Sequence, residues 1–331
     1  MSGGGMFADL VLEGGGVKGI ALVGAISVLE ERGYQFRRVA GTSAGAIVGS
    51  LVAAGARAAE LEEIMRGVDY RRFRDGPRWR DLFLGKAAAL MFRQGIYEGQ
   101  FVKDWLGERL ARLGVNTFAD LRYDDPGRPP HPEYAYRLVV MTCDISQGCL
   151  RRLPWEYGCY GLPPGGQPVV DAVRASVSIP FFYQPARLTD VDGRDCWLVD
   201  GGVLSRSSTG VFDAPPPLEP RWPTFGIKLG TAPRPVSEVR NTVSMSRAMV
   251  KTMTGFYDRS QIDDAAAAAR TIVVDTGTVR VTDFDLDRDT QDLLFRKGRE
   301  ATLKFLDGAP GHPAWDWEAY KRTFRSWQSA A

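Results

Sequence analysis

Histidine is nearly missing from this chain: of 331 residues only His131 and His312 are histidines, and each is followed by proline. Any relay that needs an imidazole base is therefore thinly supplied. Cysteine is scarce too. Cys143, Cys149, Cys159 and Cys196 form no C-x-x-C pair, which argues against a zinc site or a disulfide framework and leaves them as small buried hydrophobes. Excess charge of one sign is also absent: 42 Lys and Arg face 40 Asp and Glu, a net charge of +2, so no nucleic acid is expected as a partner. No apolar run approaches the length of a membrane span, and Met1-Ser2-Gly3-Gly4-Gly5 offers neither a basic n-region nor an apolar h-region. The expectation is a cytoplasmic protein with no Sec signal peptide and no spanning helix; export by a non-Sec machine stays open. No repeat of fixed period is visible. The alternating Asp283, Asp285, Asp287 and Asp289 lack the rest of a calcium loop, because its sixth position is Arg288 rather than glycine and its twelfth is Leu294 rather than glutamate.

What is present is an ordinary globular composition, 44% hydrophobic and 25% charged, on a chain long enough to bury a substantial core. Phe7 to Leu12 reads as a strand that runs into Glu13-Gly14-Gly15-Gly16-Val17-Lys18-Gly19. Ile20 to Arg32 reads as a helix closed by Gly33, and Val39 and Ala40 as the end of a second strand. Strand, glycine loop, helix and strand open a βαβ-type sheet. From Ala58 to about Asp120 the pattern is mainly helical, a candidate cap. Within it Trp79, Leu82, Phe83, Ala87, Leu90 and Met91 fall near helical spacing among Arg78, Arg80, Lys86 and Arg93, either a lid or a face packed on the core.

After a Pro-rich loop at 124–132, Tyr136 to Ile145 and Cys149 to Leu153 read as a hairpin and Val169 to Val177 as a helix. Phe181 to Leu188 and Cys196 to Val199 read as strands, the latter leading to Asp200-Gly201-Gly202. Thr224 to Leu229 and Ile272 to Asp275 complete the strands. Met245, Met249, Met253 and Phe256 follow helical spacing, for which core packing is preferred over the lining of a lipid pocket. Asp289 is expected to cap a helix that runs to about Leu306 and stops at Gly308, and the tail from Ala314 to Ala331 is expected to pack as a further helix.

The chemistry-bearing stretch is Gly41-Thr42-Ser43-Ala44-Gly45, a G-x-S-x-G sequence between a short apolar run and a small-residue helix. Gly41 and Gly45 let strand and helix approach where a Cβ would clash, and the turn lifts the Ser43 hydroxyl clear of the sheet. Ser43 is the candidate nucleophile. Acyl transfer also needs a base and donors placed where negative charge develops on the carbonyl oxygen. The amides of Gly14, Gly15 and Gly16, after one strand and beside the next, are candidate oxyanion donors. The same loop satisfies G-x-G-x-x-G, but no ribose-binding acid follows some twenty residues on. A Walker A loop fails because Lys18 is followed by Gly19. For the base, Asp200 ends an apolar strand before two glycines, a position that also suits a turn cap. With an ordinary pKa of about 3.9 an aspartate is a weak base. His312 follows Ser43 and Asp200 in the chain order of an α/β-hydrolase triad and is the other candidate.

The blocks Glu13-Gly14-Gly15-Gly16-Val17-Lys18-Gly19, Gly41-Thr42-Ser43-Ala44-Gly45 and Asp200-Gly201-Gly202, in that order, resemble the three signature blocks of the patatin-like phospholipase family. The segment Arg174-Ala175-Ser176-Val177-Ser178-Ile179-Pro180 is similar to the one that precedes the catalytic aspartate in bacterial members. The resemblance runs from about Phe7 to Phe305. It implies a three-layer α/β/α sandwich with a mostly parallel central sheet, and an acyl hydrolase domain over 6–308 with a helical cap insertion at about 58–120. A C-terminal helical tail would cover 309–331. It further implies a Ser43-Asp200 dyad without histidine, oxyanion donors at Gly14 to Gly16, and hydrolysis of phospholipid or other fatty-acyl esters at a membrane surface with no metal or cofactor. Lys18 stands where many members have arginine, and Val203-Leu204-Ser205-Arg206 replaces the asparagine and proline that often follow Asp-Gly-Gly. A catalytically silent or activator-dependent binding module on the same fold remains the reading of a different class.

Overall fold

The computed structural model describes residues 6–75, 95–124, 135–204, 209–213, 218–230, 239–240, 244–245, 248–249 and 265–324. The first strand, β1 (Met6–Leu12), is joined by the glycine loop and α1 (Gly19–Glu31) to a parallel neighbour, β2 (Tyr34–Thr42). Then come α2 (Ala44–Ala53), α3 (Ala58–Gly67), a 3-10 turn at Tyr70–Phe73, β3 (Gly95–Tyr97) and α4 (Gln100–Arg112). The hairpin of β4 (Leu138–Asp144) and β5 (Cys149–Leu153) follows, then α5 (Val169–Ser176), β6 (Phe181–Tyr183), β7 (Ala186–Thr189) and β8 (Asp195–Asp200). The chain continues through β9 (Thr224–Leu229), α6 (Ala265–Ala268), β10 (Thr271–Val274), α7 (Arg288–Asp307) and α8 (Trp317–Phe324).

In the main sheet β10, β9, β1, β2 and β4 are neighbours in that order, all parallel, while β8 and β7 extend it with antiparallel pairing. Strands covered on both faces read as near-continuous apolar runs. Here Leu10, Leu12, Val39, Leu138 and Val140 enter the large core under α1, α2 and α7. Their alternates Val11, Ala40, Val139 and Met141 pack with Phe212 on the other side. The sheet is mixed but mostly parallel with helices on both sides, as the sandwich expectation requires. Among the described residues no helix is long and apolar enough to cross a membrane.

Several sequence expectations need correction. Phe181 to Leu188 is not one strand: Pro185 has no N–H for a ladder, and the chain breaks into β6, which pairs with β3, and β7, which pairs with β8. The cap of α7 is Asp287, whose Oδ1 accepts from the Thr290 amide at 2.8 Å, because Asp287 has the extended backbone of a cap while Asp289 already lies in the first turn. Met245 and Met249 are exposed rather than packed in the core, and Met253 and Phe256 lie outside the described residues, as do Trp79 to Met91 and His131. Cys143 and Cys196 are buried, but Cys159 is exposed. The tail does pack: Trp315 meets Phe225 and Phe305 at ring-centroid distances of 5.2 and 5.3 Å.

A bulge in the β1–β2 register between Ala8 and Leu10 brings Asp9 to Arg38. The Arg38 Nη2 donates to Asp9 Oδ2 at 2.5 Å, and the Arg38 amide and Nε both donate to Oδ1, at 3.1 and 3.2 Å. Both side chains are buried, so removing one leaves an uncompensated charge in the interior. Asp9→Ala should lower unfolding stability by about 3–5 kcal/mol in a denaturant titration. A loss below about 1 kcal/mol would show that Arg38 finds water or another partner.

Candidate active site

The strands that carry the two predicted reacting residues end side by side because one edge of β4 carries two strands. Residues Val140 to Asp144 give one edge to β5. The other edge is shared: β2 runs along it as far as Thr42 opposite Met141, and β8 comes from the opposite direction and ends with Asp200 opposite Thr142. The C-terminal ends of β2 and β8 therefore abut, and Ser43 is the next residue after one of them. Among the described residues no histidine takes part. His312 lies in the exposed turn after α7, whose last residue, Asp307, pairs with Arg32 at the far end of α1 at 2.6 Å. The 13 residues of α1 put that end about 20 Å from the glycine loop.

Ser43 has φ 54° and ψ −123°, a conformation that costs a non-glycine residue about 1–3 kcal/mol and is held only by its surroundings. Those surroundings are backbone in close contact. A Cβ at Gly45 would lie 2.2 Å from the Leu12 carbonyl oxygen, and one at Gly41 would lie 2.3 Å from that of Gly45. Glycine is the residue that fits. A hydrogen bond completes the restraint: the Ser43 amide donates to Ser176 Oγ at 2.9 Å, and that hydroxyl donates to the Met141 carbonyl at 2.6 Å. Two residues on, the Ser178 carbonyl accepts from the Asp200 amide at 2.9 Å. The stretch after α5 thus ties both residues to β4. Sequence reasoning placed it only by resemblance; the small, hydroxyl-bearing residues after an amphipathic helix were the available signal.

Arg174 anchors that stretch. Its Nη1 donates to Ser178 Oγ at 2.5 Å and its Nε to the Glu98 carbonyl at 3.1 Å, and burial pulls its pKa below the usual guanidinium value. Asp200 is itself mostly buried, and its Oδ1 accepts from the Gly202 amide at 2.8 Å, so the turn-capping role is real. A Cβ at Gly201 would lie 2.6 Å from the Met141 oxygen, which accounts for one of the two glycines. Beside Asp200, burial pushes the Cys143 thiol up to about 12, so it stays neutral at physiological pH. Residues 205–208, behind the Asp-Gly-Gly turn, lie outside the described residues.

The glycine loop lies against Ser43. A Cβ on Gly14 would be 3.0 Å from the Ser43 Cβ. The Val17 amide is engaged by the Val281 carbonyl at 3.2 Å and the Lys18 amide by that of Gly15 at 3.2 Å, whereas among the described residues the Gly15 and Gly16 amides donate no hydrogen bond. Lys18 is buried and its Nζ donates to Thr276 Oγ1 at 3.1 Å. The Gly19 backbone opens α1.

An apolar pocket opens at Ser43 and Gly16, with about 500 Å³ of space including its mouth. The region between 58 and 120 supplies Met65, Tyr70, Phe73, Val102 and Trp105 to its walls. Val17, Ala44 and Ile47 add to them, as do Val177 and Ile179, next to the two tethering serines, Phe284, and Tyr183, whose hydroxyl donates to the Phe73 carbonyl at 2.8 Å. Fourteen residues line it, among them Ser43 and, from the glycine loop, Gly16. None of the aromatic walls was identified from the sequence, because spacing alone cannot tell a pocket wall from core.

The chain is similar to known proteins. The family model for patatin-like phospholipase matches residues 10–213, a span that holds both Ser43 and Asp200. The chain is 33% identical over 305 residues to the uncharacterized protein YqhO of Bacillus subtilis, covering 91% of this chain and 98% of YqhO. It is 50% identical over 195 residues to the uncharacterized NTE family protein Rv1063c of Mycobacterium tuberculosis, covering 59% of this chain and 42% of that protein. Among solved structures, VipD from Legionella pneumophila has a TM-score of 0.51 at 17% identity, over 90% of this chain and 66% of VipD, a likeness of fold.

The Ser176 hydroxyl gives a direct test of how the turn is held. Ser176→Ala should slow covalent labelling of Ser43 by a fluorophosphonate probe about 10- to 100-fold with the thermal midpoint little changed, and Ser176→Thr should restore much of the rate. Equal labelling of all three proteins would show that the strand and helix hold the turn without it.

Proposed function

The chain belongs to the patatin-like phospholipase family, a family of lipid hydrolases, and on that premise we propose that it is a phospholipase A-type acyl hydrolase that works through Ser43 and Asp200. The observation that carries this reading is the abutment of β2 and β8 on one edge of β4, with the unengaged Gly15 and Gly16 amides and an apolar pocket at the same place.

In the proposed reaction Ser43 Oγ attacks the ester carbonyl carbon and its proton passes to the Asp200 carboxylate. The carbonyl oxygen takes the negative charge and is met by the Gly15 and Gly16 amides, with Gly14 shaping the approach. Collapse of this intermediate breaks the bond to the alcohol, which leaves with the proton from Asp200. Water then attacks the acyl-serine, gives a proton to Asp200, and the fatty acid departs as that proton returns to Ser43 Oγ. Every proton and electron pair is accounted for by the two side chains, ester and water, so no metal or cofactor is called on. Gly41, Gly45, Gly201 and Gly202 serve the geometry of the two turns, and Lys18 and Gly19 that of the glycine loop.

The substrate follows from the pocket, whose walls offer an acyl chain aromatic and aliphatic surface and few polar partners. The reaction is proposed to occur at a lipid surface. Tyr70 and Phe73 face the pocket, while Arg71 and Arg72 between them are exposed, a pattern suited to anionic head groups.

Release of fatty acid from mixed phospholipid vesicles tests the dyad. Ser43→Ala and Asp200→Ala should each lower the rate by about a thousandfold or more, and His312→Ala should stay within about twofold of the unsubstituted protein. Activity should persist in excess EDTA. Loss of activity in His312→Ala would point to a triad, and loss in EDTA would overturn the metal-free reaction.

A further inference from the structure

Phe284 is contributed to the pocket by a segment C-terminal to residues 10–213, the span matched by the family model. This segment touches the glycine loop twice. The Val281 carbonyl accepts from the Val17 amide at 3.2 Å, and Thr276 Oγ1 accepts from the buried Lys18 Nζ at 3.1 Å. Gly16 has φ +56°, and a Cβ there would lie 1.9 Å from the Val281 oxygen, so the two backbones are in contact at this point. On its other side the segment leads into the Asp287 cap of α7, which packs along α1.

Between these anchors the chain turns, with the Phe284 amide donating to the Thr282 carbonyl at 3.0 Å. The Phe284 ring is 6% exposed. It stacks on Phe182 at 5.2 Å with an interplanar angle of 12°, and lies against Phe73 at 6.1 Å and 25°. Phe284 therefore bridges the wall made by the 3-10 turn at Tyr70–Phe73 and the wall made by the stretch after α5. The Arg74–Asp285 pair at 2.8 Å spans the same gap at the surface, but exposed pairs of this kind contribute little. Stacking and backbone contact hold the ring.

We propose that Phe284 is the specificity-determining residue of the acyl pocket, its ring setting the width of acyl chain that can reach Ser43. The inference rests on the acyl hydrolase reading above and names the selectivity of that site. A hydrocarbon chain carries no donor or acceptor to be read, so discrimination comes from shape alone. A wall fixed to the glycine loop is where shape is felt, because it cannot give way without moving the amides of Gly15 and Gly16. A wall on a free loop would yield to the chain.

The test is kcat/KM of the full chain and of Phe284→Ala, Phe284→Leu and Phe284→Trp on p-nitrophenyl acetate, octanoate and a methyl-branched octanoate. Acetate, with one methyl beyond its carbonyl, reports turnover at Ser43 itself, so the octanoate rates of each variant are read relative to that variant's own acetate rate. The ratio of branched to straight octanoate should rise about tenfold in Phe284→Ala, rise less in Phe284→Leu and fall in Phe284→Trp. An unchanged ratio in all three variants, each still hydrolysing acetate, would overturn the inference and leave the acyl hydrolase reading intact. Hydrolysis by the unsubstituted chain that survives Ser43→Ala would instead overturn that reading, and the assignment of the pocket with it.

Discussion

The feature on which the rest of the site depends is the shared edge of β4. A strand has two edges, and β5 occupies one of them, so β2 and β8 can both pair with β4 only by dividing the other. They do so from opposite directions, and their ends meet at Met141 and Thr142. Two residues 157 positions apart in sequence are placed at adjoining strand ends by a backbone ladder. A ladder is stiff, and the residue that follows each strand inherits that stiffness. The Met141 carbonyl lies at the junction, where it accepts from Ser176 and closely faces Gly201.

A strained turn needs neighbours that leave it no alternative. At Ser43 these are the Leu12 carbonyl against Gly45 and the Ser176 hydroxyl under the Ser43 amide. The strain is concentrated where the hydroxyl must leave the sheet, and the cost is offset by the burial of α2 over β1 and β2. The same economy explains the glycine loop. Val17 and Lys18 have their amides engaged, while among the described residues those of Gly15 and Gly16 donate no hydrogen bond. Gly15 is buried and Gly16 half-buried, and a buried amide without a protein partner is uncommon; the proposed reaction gives both amides a substrate oxygen to bind.

The family match ends at residue 213, but the site does not. Thr276, Val281 and Phe284 reach the glycine loop and pocket from the C-terminal part of the chain. The shared signature blocks thus hold the candidate reacting groups, and the chain beyond them supplies part of the pocket wall. YqhO, matched over nearly its full length, spans this part as well, whereas the likeness to Rv1063c covers only 59% of this chain.

The sequence by itself determined the local pieces: the strand that ends in the glycine loop, the G-x-S-x-G turn, the helix at Val169 and the strand at Thr224 to Leu229. These are legible because period, glycine spacing and caps act over a few residues. Tertiary structure decided everything that required a choice of neighbour. It split Phe181 to Leu188 between two sheets, left Met245 and Met249 exposed, sent His312 to the far end of α1, and turned Ser176 and Phe284 into parts of the site. Pairing of strand edges and stacking of rings join residues far apart in the chain, and which partner wins depends on the burial of the whole sheet rather than on any local pattern.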